Sequence, residues 1–242
     1  MTQAKRLPPF IKELRAKIRT REKWQTRRVM KPQPPDGYAY DGYRKNPRLS
    51  KLSGHLWMNG YAMWRPPICP YGKVGDIRFL IEPLEEIKVE RSGTYAAYRD
   101  DHAWVRLEEG RSMGWQWSKP YLTSIHMPTV AARTFVRLTE IRCERVQDIS
   151  EEDAKAEGVT YQCFVDWMGS YKRGFAHLWD SINAVPRPVL AKVDGKKVID
   201  HYISYPWEDV QETREHRGKP WLVCGNPYNW ALSWEQYTPS KP

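Results

Sequence analysis

The sequence predicts an α+β fold, a small strand barrel with flanking helices and long loop insertions at about 36–68, 84–124 and 184–220, in one domain spanning residues 1–242. Three observations carry this. The hydrophobic patterns run helix, strand, strand, helix, helix, strand, with the alternation of antiparallel strands. At 242 residues with 40% hydrophobic side chains, the chain is long enough to bury one generous core. Its 13% aromatic content is too high for wholesale disorder.

The first helix is expected over 9–20. Pro8 and Pro9 precede it, Ile11, Leu14 and Ile18 form its apolar stripe, and Lys12, Arg15, Lys17 and Arg19 form the opposite face. Prolines at 32, 34 and 35 stop regular structure after Met30. Residues 36–68, rich in Gly, Tyr, Trp, Asn and Pro, read as an irregular excursion. Cys69–Asp76 is turn chemistry that opens a strand at Ile77, Phe79 and Ile81. Residues 84–124 read as a strand pair plus a loop around Trp115 and Trp117. A longer strand is expected over 134–146. Its apolar parity switches between Leu138 and Ile141, as at a bulge.

Ser150-Glu-Glu-Asp153 is a helix start, with acidic residues where the helix dipole favours them, and Gly158 is a natural stop. Phe175, Leu178, Trp179 and Ile182 mark a helix at about 172–183. Trp230, Leu232 and Trp234 alternate as a closing strand.

Charge is concentrated at one end. Residues 1–31 carry 11 basic and two acidic groups, whereas the other 211 residues are nearly balanced. Such a block implies an anionic partner, nucleic acid first, or else a solvated helix face. Apolar runs are too short for a membrane helix, and the N-terminus lacks the apolar stretch of a secretory signal. A soluble, cytoplasmic protein is expected, with no membrane partner. Cys69, Cys143, Cys163 and Cys224 and the six histidines lie scattered without ligand spacing, so no metal and no cofactor is expected.

Three stretches in this order carry a family resemblance: Glu22-Lys-Trp-Gln-Thr-Arg-Arg28, Gly75-Asp76, and Asp148-Ile-Ser-Glu-Glu-Asp-Ala-Lys-Ala-Glu-Gly158. Lys31-Pro-Gln-Pro34, Cys69-Pro-Tyr-Gly72, Ser124-Ile-His-Met-Pro128, Phe175–Asn183 and the segment 226–236 extend it over the whole chain. The sequence resembles the ASCH domains of the PUA-like superfamily, in the longer form found in phage and prophage proteins. The resemblance implies a compact β-barrel with a cleft for a nucleotide or RNA, and the host cytoplasm as the setting if the gene is a phage's. Small ASCH proteins are amidohydrolases that remove the acetyl group from N4-acetylcytidine. Their catalytic lysine and threonine match Lys23 and Thr26, their following arginine matches Arg28, and their glutamate matches Glu157. Other members only bind nucleic acid, and ribonuclease activity is ascribed to some. The match departs after Gly75-Asp76: Glu82-Pro83 stands where the phage proteins usually have Glu-Thr-Trp.

The chemistry of these residues is coherent. Amide hydrolysis needs a nucleophile or activated water, a proton acceptor and oxyanion stabilisation. Thr26 offers a hydroxyl, Lys23 a base and Glu157 an acid/base. A lysine works as base only if its pKa falls from about 10.4 towards 7–8. Arg21, Arg27 and Arg28 push it that way, and a close Glu157 pushes it back. Residues i and i+3 point to opposite faces of a strand, so Lys23 and Thr26 meet only if their segment curls.

The same residues admit plainer roles: Lys23 and Arg28 as phosphate contacts, Thr26 as a turn hydroxyl, Glu157 as a solvated helix end. Arg15, Lys17, Arg19, Arg21, Arg27, Arg28, Trp24 and His126 are the candidate substrate or nucleic-acid contacts. Trp24 and the aromatics of the first insertion (Tyr38, Tyr40, Tyr43, Trp57, Tyr61, Trp64) either stack on bases or pack the core. His126 either lines the cleft or braces its loop. Three functions remain open at this level: an amidohydrolase of an N-acylated cytosine, a non-catalytic RNA or DNA reader, and a phage assembly or host-interaction protein.

Overall fold

A computed structural model describes residues 4–35, 37–44, 54–65, 68–107, 110–162 and 169–239. Cys163 and the side chain of Tyr43 lie outside the described residues. The chain divides into two compact units built from alternating segments. Unit 1 comprises 1–24, 71–140 and 233–242, and unit 2 comprises 25–70 and 141–232. The fold is α+β and mostly strand, with few helices. Among the described residues, strands group into sheets of five, four, three and three members. No helix among the described residues is long and apolar enough to cross a membrane.

Unit 1 holds β1 (Lys5–Arg6), α1 (Lys12–Arg19) and β6 (Ile77–Phe79). The expected early start of α1 shifts to Lys12, because Ile11 is an extended N-cap. Ile11 is therefore 49% exposed, and Leu14 and Ile18 alone form the buried stripe with Phe10 before them. β1 runs parallel to β6, with Lys5 opposite Arg78 and Arg6 opposite Phe79. β7 (Leu84–Val89) and β8 (Gly93–Tyr98) form a hairpin, and β9 (Tyr121–Leu122) flanks β7. The core gathers Phe79, Ile81, Leu84, Ala96, Tyr98, Val105, Met113, Met127 and Ala131.

Unit 2 opens with β2 (Gln25–Val29). The segment expected to be irregular contains a three-stranded antiparallel sheet of β3 (Ala39–Arg44), β4 (Gly54–Asn59) and β5 (Ala62–Trp64). Its Tyr and Trp are strand formers that pair across the ladder. Trp57 stands opposite both Tyr40 and Trp64, with ring centroids at 4.8 and 5.3 Å, and Tyr228 meets it at 5.3 Å. These aromatics pack one another, and Trp57 is wholly buried.

The 184–220 insertion is also regular. It holds β11 (Arg187–Val193), β12 (Lys196–Ser204), β13 (Gln211–His216) and β14 (Lys219–Cys224), in the order β11-β12-β14-β13. The two hairpins join through a parallel β12–β14 pair.

Two long strands belong to both units: β10 (Phe135–Arg145) and β15 (Tyr228–Tyr237). The five-stranded sheet has the order β1-β6-β10-β15-β2. Along β10, burial moves from Val136 and Leu138 to Cys143, the parity switch read from the sequence.

The helices of unit 2 follow their caps. α2 (Glu151–Ala156) begins where the Ser150 hydroxyl accepts from the Asp153 N–H, and it ends at Glu157, with Gly158 at φ 76°. α3 (Tyr171–Asn183) begins where the Ser170 hydroxyl accepts from the Arg173 N–H. Phe175 and Trp179 of α3 pack on Val146, Ile149 and Ala154, with Val29 and Trp207 against them. Gly174 lets α3 approach the preceding loop, since a Cβ there would stand 2.3 Å from the Thr160 carbonyl oxygen.

Candidate active site

The path from α1 into β2 decides where the motif residues go. Thr20 caps α1, Arg21 takes a left-handed φ of 67°, and the Glu22 and Lys23 N–H groups both donate to the Lys17 carbonyl at 2.8 and 3.0 Å. The expected curl therefore falls ahead of Lys23. The chain is extended from Gln25 onward. The turn carries the Lys23 side chain inside unit 1, 1% exposed, with Nζ 5.5 Å from the Phe10 ring centre. Trp24 is 44% exposed, and its carbonyl accepts from the Trp234 N–H at 3.0 Å.

On β2, alternation sets Thr26 and Arg28 on one face and Gln25, Arg27 and Val29 on the other. Thr26 is buried and Arg28 half-buried. Arg27 was expected to contact substrate, yet its side chain is fully buried among carboxylates. It donates to Glu144 at 2.7 Å, to Asp153 at 2.8 Å and to Glu157 at 3.3 Å, with the Phe175 ring 5.8 Å away. Gln25 bridges the group, accepting from Arg27 and donating to Asp153 at 3.0 Å. Arg142 adds a second cation on Asp153 at 2.5 Å.

The physical reason is desolvation: an arginine drawn into the interior must be met by anions. Asp153 on α2 and Glu157 at its C-cap, four residues apart, both turn their carboxylates to it. Burial alone would raise the Asp153 carboxyl. The Gln25 hydrogen bond and the charges of Arg27 and Arg142 outweigh it and hold the group below the usual range. Glu157 is 3% exposed, so it is not the solvated helix end that its position suggests. Two of the three stretches behind the family resemblance thus meet in unit 2, through Gln25 and Arg27 on one side and Asp153 and Glu157 on the other.

The basic face of α1 is likewise engaged. Arg15, only 8% exposed, grips Asp100 with two hydrogen bonds of 2.7 and 2.8 Å. Arg19 donates to Glu82 at 2.7 Å, and Arg133 binds Glu82 and Asp101. Burial again opposes ionisation of Asp100, but the Arg15 hydrogen bonds and the nearby Arg19 and Lys12 charges lower it. Asp101 is lowered despite burial by the Arg133 and Ala103 hydrogen bonds and the charges of Arg133 and Arg19. Lys17 is half-buried and Arg21 exposed. His126 is exposed in a 3-10 turn, its Nδ1 2.8 Å from the Thr123 hydroxyl, a loop brace.

Sequence reasoning missed Gln25, Arg142, Glu144 and Asp153. Alternation along β2 and the i, i+4 carboxylates of α2 were the available signals. Burial pushes the Cys143 thiol far up, which leaves it a protonated, unreactive group. Among the described residues, no cluster of three or more His, Cys, Asp or Glu is placed to hold a metal ion. Comparison with models of protein families, with curated proteins and with solved structures finds no match.

Proposed function

We propose that the protein is an ASCH-type amidohydrolase that removes an acyl group from a modified cytosine of the N4-acetylcytidine type. The five-stranded sheet is read as the barrel-forming part of a PUA-like domain. The single observation that carries the reading is the burial of the base, the hydroxyl and the acid that the reaction requires. Lys23, Thr26 and Glu157 are 1%, 3% and 3% exposed. Ionisable groups are withdrawn from water at a cost that function commonly explains.

In this reading, with roles taken from the resemblance, Lys23 takes the proton of the attacking water, or of the Thr26 hydroxyl, whose acyl ester a second water then hydrolyses. The new C–O bond forms at the acyl carbon, Arg28 steadies the oxyanion, and Glu157 delivers a proton to the departing N4 as the C–N bond breaks. The products are the carboxylic acid and the free cytosine base. Arg27 is a positioning residue, because its hydrogen bond fixes the Glu157 carboxylate.

Engagement of Arg15, Arg19 and Arg27 with carboxylates also favours a nucleoside-sized substrate over a long polyanion, since it withdraws three cations from any phosphate track. The reader alternative draws on exposed Trp24, able to stack on an unpaired base, and exposed Arg21 three positions before it.

The test is incubation with N4-acetylcytidine, free and within RNA and DNA, followed by mass spectrometry for loss of the acetyl group. Cytidine release is expected, falling by at least about a hundredfold in Lys23→Ala and Glu157→Gln while the fold persists. Full activity in both variants overturns the mechanism. Absence of release, with salt-sensitive retention of a labelled oligonucleotide, makes the protein a reader.

A further inference from the structure

We propose that the indole N–H of Trp234 is a ligand-binding donor that receives the acyl carbonyl oxygen of the substrate beside Lys23. The identity of the ligand rests on the hydrolase reading. The donor itself rests on the following geometry, all within unit 1.

Trp234 is 3% exposed on β15, and its Nε1 is sealed from solvent with no hydrogen-bond partner among the described residues. An indole nitrogen only donates, so the group has no second way to be satisfied. Native proteins rarely leave such a donor unmet without a functional reason. The ring is held firmly. The Trp234 backbone N–H bonds the Trp24 carbonyl at 3.0 Å, and Phe10 meets the indole edge-on at 6.3 Å between centroids. Lys23 Nζ stands 5.5 Å from the centre of that same Phe10 ring. A neutral N–H and an amine are therefore gathered around one aromatic side chain.

This pairing fits an uncharged oxygen that gains charge during reaction. The indole supplies a fixed dipole and does not titrate, and it shares the Phe10 ring with the amine. Trp24, whose carbonyl accepts from the Trp234 backbone N–H, is 44% exposed.

Other buried polar atoms without partners have different surroundings. Arg78 meets Asp76 through its terminal nitrogen, and Asn229 donates to the Glu144 carbonyl. Trp57 Nε1 belongs to a ring enclosed by Tyr40, Trp64 and Tyr228. Arg28, whose Nε belongs to the same group, makes other interactions and lies in unit 2. Trp234 alone of these five shares a ring contact with a motif lysine.

The experiment follows the indole N–H resonances of the 15N-labelled full chain during titration with N4-acetylcytidine and with cytidine. Trp234→Phe, and independently the Overhauser contact with the Phe10 ring, identify the Trp234 resonance. The expected result is a downfield shift with N4-acetylcytidine and little change with cytidine, which lacks the acyl oxygen. In Trp234→Phe, kcat/KM falls about tenfold while the melting temperature holds, since an unmet donor is removed. A resonance unmoved at saturating N4-acetylcytidine overturns the proposal, including one already shifted by a trapped water. Wild-type kcat/KM in Trp234→Phe overturns it too. Either can occur with hydrolysis intact, so failure here leaves the hydrolase reading standing. A shift without turnover keeps the donor and removes the hydrolase.

Discussion

In unit 1, three arginines (Arg15, Arg19 and Arg133) meet three carboxylates, Glu82, Asp100 and Asp101. In unit 2, Arg27 and Arg142 meet three carboxylates, Glu144, Asp153 and Glu157. The first set is balanced one to one, and its members come from a helix face and surrounding loops. The second set has more acid than base, and Arg27 holds Glu157 at the longest distance of its contacts, 3.3 Å. An arginine surrounded by its equivalents in acid is finished as a structural unit. Where one buried guanidinium serves three acids, removing the cation leaves more uncompensated charge behind.

The largest expected effect breaks the second set at its centre. Arg27→Met strands three carboxylates around an apolar side chain and should cost about 3–5 kcal/mol, read as a lowered urea midpoint. The matching change in the balanced set, Glu82→Gln, keeps an acceptor for Arg19 and Arg133 and should cost less, about 1.5–3 kcal/mol. Equal losses would erase the contrast between the two sets.

A pH series sharpens it. Asp100, Asp101 and Asp153 are all depressed in the folded protein. Depressed carboxyls contribute stability that is complete above their unfolded pKa near 3.8 and is lost as pH falls through the folded values. Denaturation midpoints should therefore hold from pH 7 to about 5 and drop below pH 4. Asp153→Asn should flatten part of that drop. The smallest effect is at the helix that carries the acidic pair: Ser150→Ala removes the cap to Asp153 and should cost about 1 kcal/mol by the same denaturation assay.

Legibility in the sequence followed locality. α2 and α3 were readable because Ser150, Gly158 and the Phe175–Ile182 stripe signal within one or two turns. β10 was readable because it buries alternate positions, and β15 because Trp230, Leu232 and Trp234 recur at strand spacing, although its burial is continuous over Tyr228–Leu232. The sheet of β11 to β14 was not, since β12 and β13 are exposed along most of their length and alternate nothing against a core. Ile11 looked like helix stripe and proved to be cap. At the candidate site, burial of Lys23 and Arg27 was invisible because it depends on distant partners: Arg27 meets residues 117 to 130 positions away. A run of basic residues states how much charge is present, and only the fold states how much is still available.

Gly174 has a consequence for how the chain can vary. A helix interior ordinarily favours alanine over glycine by about 1 kcal/mol. Here the gain is denied, because a methyl group would collide with the Thr160 carbonyl, a backbone atom with no side chain to swing aside. The helix bearing Phe175 and Trp179 is therefore held at a filled backbone contact that only glycine fits.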